Sequence, residues 1–338
     1  MNWYKNHYIE WKEVLETVSR EIRKAEILVE KDTIQSMFLN ELSKVNLPFV
    51  FKGGTSLSKA YNLINRFSED IDLSMQKKPT QTEKKMAKDE IIRIADSIGM
   101  ILVNPDNIKS RHDYNKYRFN YNSVFSDVPQ EIIIETSYYQ NSFPVEKHKI
   151  SSFVGQFCVE NRLQLSIPFE AANTEINVQS IERTFIDKVF AICDYYIQDM
   201  QDRDSRHLYD ICKLLPFVKL DQNLKELVNI VRRDRMLSKN NPSAQLQYNI
   251  PNMLQEIIQN KFYEPDYNFI TKKLLHEDIS YDYVIENSIA LIADSDVFLQ
   301  KNSRKASTFQ GGGCKAEKMN ASIVINRYKC YNKSWTDR

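Results

Sequence analysis

The stretch Phe49–Met75, FVFKGGTSLSKAYNLINRFSEDIDLSM, decides the fold of this chain. Its first residues, Phe49-Val50-Phe51, form a short apolar run that reads as a buried strand. Gly53-Gly54 breaks the strand. Leu57, Tyr61 and Ile64 then recur at helical spacing, which predicts one short helix over Thr55–Ile64. After a turn through Asn65-Arg66 the chain re-extends as Ser68-Glu69-Asp70-Ile71-Asp72-Leu73. Alternate residues of a strand share a face, so Ser68, Asp70 and Asp72 line one side while Glu69, Ile71 and Leu73 line the other. Carboxylates two residues apart sit about 7 Å apart at their Cα atoms. Their oxygens can converge on one or two hard cations such as Mg²⁺. The glycine turn upstream offers backbone N–H groups of Gly53, Gly54, Thr55 and Ser56 to phosphate. A phosphate cradle beside a carboxylate dyad outlines a nucleotidyl-transfer site.

A third carboxylate comes from Gln130–Thr136, QEIIIET, a dense β-branched run that reads as a buried central strand. Glu131, Ile133 and Glu135 share one face. Buried charges need partners or metals, so Glu135, ending the run, is the natural third metal ligand; the bland alternative is a glutamate at the strand's wet end. Glu131 is the weaker candidate.

The rest of the chain frames these segments. Residues 8–45 read as one or two packing helices, with Trp11, Val14, Leu15, Val18, Ile22 and Ile27 on an apolar stripe. A helix is expected from Thr80–Thr82 to Ser97, ended by Gly99. Lys116–Tyr121 alternates like a strand, and Phe153–Cys158 and Glu175–Val178 read as short extended pieces. From Ser180, which can cap a helix through Ile197, the pattern turns helical, with further helices near 205–216, 221–237 and 251–260 and weaker ones after 266.

On the 180–197 helix, Lys188 lies on an otherwise apolar side with Thr184, Phe185 and Ala191. It either snorkels to water past its stem or reaches a cleft to contact nucleotide phosphates. Asp210 shares a polar face with Arg206 and Lys213, and by spacing alone it forms an i,i+4 pair with Arg206. His207 has no metal-ligating partner at fixed spacing and reads as structural.

Composition sets outer limits. A chain of 338 residues suggests about two domains, and 42% hydrophobic residues suffice for a core. The net charge of +1 gives no global attraction to nucleic acid, so such a contact needs local patches. No run approaches a membrane span. The N-terminus is too polar for a signal peptide. Cys158, Cys193, Cys212, Cys314 and Cys330 form no Cys-x-x-Cys pair, which disfavours structural zinc and fits a reduced, cytoplasmic protein. The chain lacks His-Glu-x-x-His, a serine nucleophile elbow and a Walker A lysine, which disfavours zinc hydrolases, α/β-hydrolases and P-loop NTPases.

In order along the chain, FKGGTSL, RFSEDIDL, IDKVFAI and RHLYDICKLL resemble the motifs of the AbiEii/AbiGii nucleotidyltransferase toxins of type IV toxin–antitoxin and phage-abortive systems, members of the DNA polymerase β-like superfamily. The resemblance covers roughly residues 48–216. It implies that Lys188 contacts the nucleotide, and that Ser68 and Asp210 serve activity. It further implies an RNA acceptor, notably the 3′ end of tRNA, growth arrest as the consequence, and a separately encoded antitoxin. Many relatives carry an acidic residue directly before the lysine; here Asp187-Lys188 keeps that chemistry.

The expected protein is therefore α/β (α+β). A small mixed-sheet nucleotidyltransferase domain with N-terminal helices spans 1–179, a helical domain spans 180–300, and a basic, mobile tail spans 301–338. Asp70, Asp72 and Glu135 would bind two Mg²⁺ ions in a cleft between the domains. Gly53, Gly54, Thr55, Ser56 and Lys188 would hold the NTP, and Ser68, Asp70, Asp72, Lys188 and Asp210 would serve catalysis. Competing readings are transfer of the nucleoside monophosphate to a protein side chain, and a non-catalytic nucleotide-binding regulator.

Overall fold

The structure, a computed structural model, describes residues 6–66, 68, 70–163, 174–202 and 204–300. The expected tail 301–338 lies outside the described residues. Two helices come first, α1 (Tyr8–Ile22) and α2 (Glu26–Ser43). Then follow β1 (Phe49–Lys52), α3 (Gly53–Lys59), β2 (Asp70–Met75), α4 (Gln81–Ser97), β3 (Ile101–Leu102), β4 (Tyr114–Tyr121), β5 (Gln130–Ser137), β6 (Val145–Ile150), α5 (Phe153–Glu160) and β7 (Thr174–Gln179). Beyond Gln179 every named element is helical: α6 (Ile181–Ile197), α7 (Arg206–Leu214), α8 (Gln222–Arg235), α9 (Ile250–Gln259), and helical turns over 264–274 and 281–294. The change from strands to helices thus falls beside residue 180, while the residues through Leu299 form one compact unit.

The sheet is mixed and seven-stranded, in the order β3-β4-β5-β2-β1-β7-β6. Pairs β1–β7 and β2–β5 are parallel and the others antiparallel. One face carries Phe51, Ile71, Leu73, Tyr117, Phe119, Tyr121, Ile132 and Ile134, which pack with Trp11, Leu15, Phe38, Ile91 and Ile94 of α1, α2 and α4. Burying each such side chain contributes roughly 1.5–3 kcal/mol. This layer fixes the register of β2 and β5, because a one-residue slip would send Ile71 and Ile134 to the other face.

Local signals account for the helix ends. Thr80 accepts from the Glu83 backbone N–H and Glu83 returns a bond to the Thr80 backbone, a capping box at the start of α4. Gly99, at φ +85°, follows its C-terminus. Ser180 accepts from the Arg183 N–H and opens α6.

Two expectations need correction. The short helix after the glycines occupies Gly53–Lys59 rather than Thr55–Ile64. Residues 153–158 are helical, because Ser152 caps the segment by accepting from the Gly155 N–H. The mixed sheet is as expected, with β6 and the two-residue β3 at its edges.

Candidate active site

Register brings the charged residues together. Lys52 pairs with Asp72, Asp72 with Glu135, and Glu135 with Lys116. Directly opposed residues share a face, so these four form one row across β1, β2, β5 and β4: a lysine, two carboxylates, a lysine. One step along β2, Asp70 is level with Ile133, and Ile133 with Arg118. All lie on the face opposite the apolar layer, because each alternates with a buried neighbour. Glu131 lies toward the start of β5, opposite Asn120, and is paired with Arg118 at 2.7 Å. Position along the strand therefore separates Glu135 from Glu131.

Burial pushes the Asp72 carboxyl up to about 6, with the nearby Glu135 and Asp70 charges adding to the rise and Lys52 opposing it. Burial likewise lowers the Lys52 ammonium, with Asp187 and Asp72 acting against the shift. Sequence reasoning assigned Lys52 no role. The available signal was its place as the last residue of β1, directly before the glycines.

Gly53 has φ +75°, and a Cβ there would overlap the Asp72 carboxylate. A Cβ on Gly54 would come within 2.7 Å of both Arg66 Nη2 and Ser68 Oγ. The glycines are thus needed for close approach of the carboxylate strand as well as for the turn. Thr55 Oγ1 donates to the Asp70 carbonyl and lies 2.9 Å from Ser68 Oγ, and Ser56 Oγ donates to the Gly53 carbonyl at 2.8 Å. Both side chains are buried, so a phosphate contact at this turn would fall to backbone N–H groups.

Lys188 and Asp210 meet in a second cluster. The Asp210 carboxylate is fully buried and accepts from Arg66 Nε and Nη2, each at 2.7 Å, and from Lys188 Nζ at 2.6 Å. His207 Nδ1 lies 3.4 Å from Lys188 Nζ. Burial works against the Asp210 charge, yet Arg66 and Lys188 outweigh it and hold the carboxyl well below its usual range. Burial lowers the Lys188 ammonium, partly offset by Asp210. Burial and the Lys188 charge bring His207 down to about 3, so it is neutral near pH 7.

The geometry excludes the surface Arg206–Asp210 pair suggested by spacing: Arg206 bonds Asp204 at 2.9 Å. Lys188 does not snorkel; its ammonium is engaged by Asp210. Asp187, the residue before it, is held by Arg183 at 3.0 Å and Arg235 at 3.1 Å.

Arg66 links this cluster to the carboxylate strand. It lies just before Ser68 and forms an isolated antiparallel bridge with Leu275. The His276 N–H donates to the Asn65 carbonyl at 2.9 Å, and the Asn65 N–H donates to Tyr209 Oη at 2.9 Å. A segment near residue 275 thus straps down the approach to β2.

Three carboxylates supply hard oxygen donors, and the crowding that raises the Asp72 carboxyl is what a divalent cation would relieve. The donor set therefore fits Mg²⁺. Among the described residues no three His, Cys, Asp or Glu side chains are already disposed as a metal cage. Glu135 instead turns its Oε1 to Lys116 Nζ at 3.0 Å. No helix among the described residues is long and apolar enough to cross a membrane.

Among solved structures, the chain is similar to JHP933 from Helicobacter pylori, at 17% identity over 80% of this chain and 91% of that one, with a TM-score of 0.41. It is also similar to MenT4, the nucleotidyltransferase toxin Rv2826c from Mycobacterium tuberculosis H37Rv, at 14% identity over 85% and 90% of the two chains, with a TM-score of 0.47. No curated protein matches. The profile of the nucleotidyl transferase AbiEii toxin family, Type IV TA system, matches residues 37–287, which takes in β1, β2, β5, α6 and α7. The chain belongs to the AbiEii nucleotidyltransferase toxin family of type IV toxin–antitoxin systems.

Proposed function

We propose that this nucleotidyltransferase moves a nucleoside monophosphate from an NTP to the hydroxyl of an RNA acceptor, releasing pyrophosphate. The observation that carries the reading is the Asp72–Glu135 register pair, with Asp70 one step along the same face. Asp70, Asp72 and Glu135 would hold Mg²⁺, which when bound orients phosphate and offsets charge on the attacking and leaving oxygens. Gly53 and Gly54 leave room for the carboxylates and keep the turn's backbone N–H groups open to phosphate. Lys52 offsets carboxylate charge from the β1 side. Arg66 and Lys188 are fixed by Asp210, and Lys188, whose charge also acts on Asp72, would contact the triphosphate. Ser68 ties the Thr55 turn to the carboxylate strand.

The acceptor suggested by the family resemblance is the 3′ end of tRNA, with growth arrest and phage defence as the cellular consequence, in the cytoplasm. A separately encoded antitoxin completes a type IV system. The test is incubation with each α-labelled NTP, Mg²⁺ and total RNA. Label in RNA that vanishes with Asp70→Ala is the expected result. Label in protein, or nowhere, overturns the reading.

A further inference from the structure

The two flanks of the carboxylate row differ. On the β1 side lie the glycine turn and Lys52, with Asp187 beyond them. On the β5 side the sheet continues into β4 and the edge strand β3, whose outer face no other described residue covers. Tyr114, Lys116 and Arg118 are exposed on that face, and Asn120 beside them is half-buried. Ile101 is level with Asn120 and is 67% exposed; Val103, whose N–H donates to the Arg118 carbonyl, is 43% exposed. The cations of β4 thus lie between the carboxylates and the apolar side chains at the sheet's edge.

We propose that the outer face of β4 and β3 is the platform for the acceptor polynucleotide, with its phosphodiester backbone on Arg118 and Lys116 and bases inward of its reacting end against Ile101 and Val103. The inference rests on the nucleotidyl-transfer reading above and adds where the second substrate lies. Transfer brings an acceptor hydroxyl to the Asp70–Asp72 pair, and end-specific transfer needs that hydroxyl held in place. An acceptor that is a polyanion meets three carboxylates there, so cations must precede them along its path. Arg118 stands two strand spacings from Asp70, about 9.6 Å, with Ile133 between. Its Nε bonds Glu131 at 2.7 Å, and neither Nη makes a bond among the described residues. The guanidinium fork is therefore oriented, with both terminal amines open to phosphate. Its exposed pair with Glu131 is weak enough for phosphate to displace. Lys116 bonds Glu135 from a half-exposed position, and a cation on Glu135 would release that ammonium to the acceptor.

The experiment compares full-length wild type with Arg118→Glu and with Ile101→Glu. Three quantities are read: retention of a labelled single-stranded RNA oligonucleotide over a salt series, binding of an α-labelled NTP, and transfer to RNA. Both substitutions are on the surface, so melting temperatures should barely change. RNA affinity should fall at least tenfold in each, NTP binding should hold, and Arg118→Ala should flatten the salt slope by about one unit. Unaltered RNA affinity in both glutamate variants overturns the platform, as does wild-type protein that retains no RNA. Failure of the underlying reading looks different: the wild type retains RNA in an Arg118-dependent way, yet transfers label to it from no NTP.

Discussion

Gly53 lies directly beneath the Asp72 carboxylate, in a backbone conformation that L-residues with a side chain seldom adopt. The most exposed-looking motif of the sequence, Gly-Gly, is thus a spacing device for the metal-ligand candidate nineteen positions on.

Gly53→Ala should therefore disable transfer through displacement of Asp72. The substitution adds strain at φ +75° as well as overlap, so a loss of about 1–3 kcal/mol in stability is expected. Thermal melting and single-turnover labelling together check this. A variant with normal activity would show that Asp72 moves freely.

Asp72→Asn and Glu135→Gln should each lose Mg²⁺-supported transfer, whereas Glu131→Gln should retain most of it. The register places Glu135 level with Asp72 and Glu131 opposite Asn120. Labelling rates over a Mg²⁺ titration distinguish the two glutamates. A dead Glu131→Gln variant with an active Glu135→Gln variant would reverse the assignment.

Asp210→Asn should destabilise the protein by about 3–5 kcal/mol at pH 7, because it strands two buried cations. The sign with pH follows from the depressed carboxyl. Its stabilising effect is present above the unfolded value near 3.8 and is lost as pH falls toward the lower folded value. Denaturant melts from pH 7 down to pH 2 should show a steep acid decline in wild type and a shallower one in Asp210→Asn. Parallel curves would mean that the Arg66–Asp210–Lys188 cluster does not govern acid stability.

His207 offers an independent check. Its folded value near 3 lies below the ordinary 6.5, so the unfolded chain binds the proton more readily between those limits and stability falls as pH drops through them. His207→Gln should reduce that fall. The pH–rate profile between pH 6 and 8 should keep its shape, because the imidazole is already neutral there. A profile whose limb disappears in the variant would make His207 a titrating participant.

The core of the fold could be read from local pattern. Phe49–Phe51, the alternation of Asp70–Leu73 and the β-branched run of β5 each satisfy one periodicity with one buried face, and register follows from that face. Three features could not be read so. β6 is VEKHKI, an edge strand whose charged residues mask alternation. Phe153–Glu160 is rich in residues that favour strands, and its helix depends on the Ser152 cap. Asp210 looked like half of a surface pair because its true partner, Arg66, is 144 residues away. Pairings at that separation leave no trace in spacing. The same blindness hid Lys52, whose neighbours Asp72 and Asp187 come from two other elements.

The strap at Leu275–His276 gives the chain an order of assembly. Asn65 and Arg66, which lead into the carboxylate strand, take their backbone partners from the far end of the helical half. All the strands lie within residues 49–179, but the approach to Asp70 stays unfastened until the segment near residue 275 is in place. A chain cut short before that segment would therefore hold the carboxylate strand without the backbone partners of Asn65 and Arg66, an enzyme with its parts present and its approach unfastened.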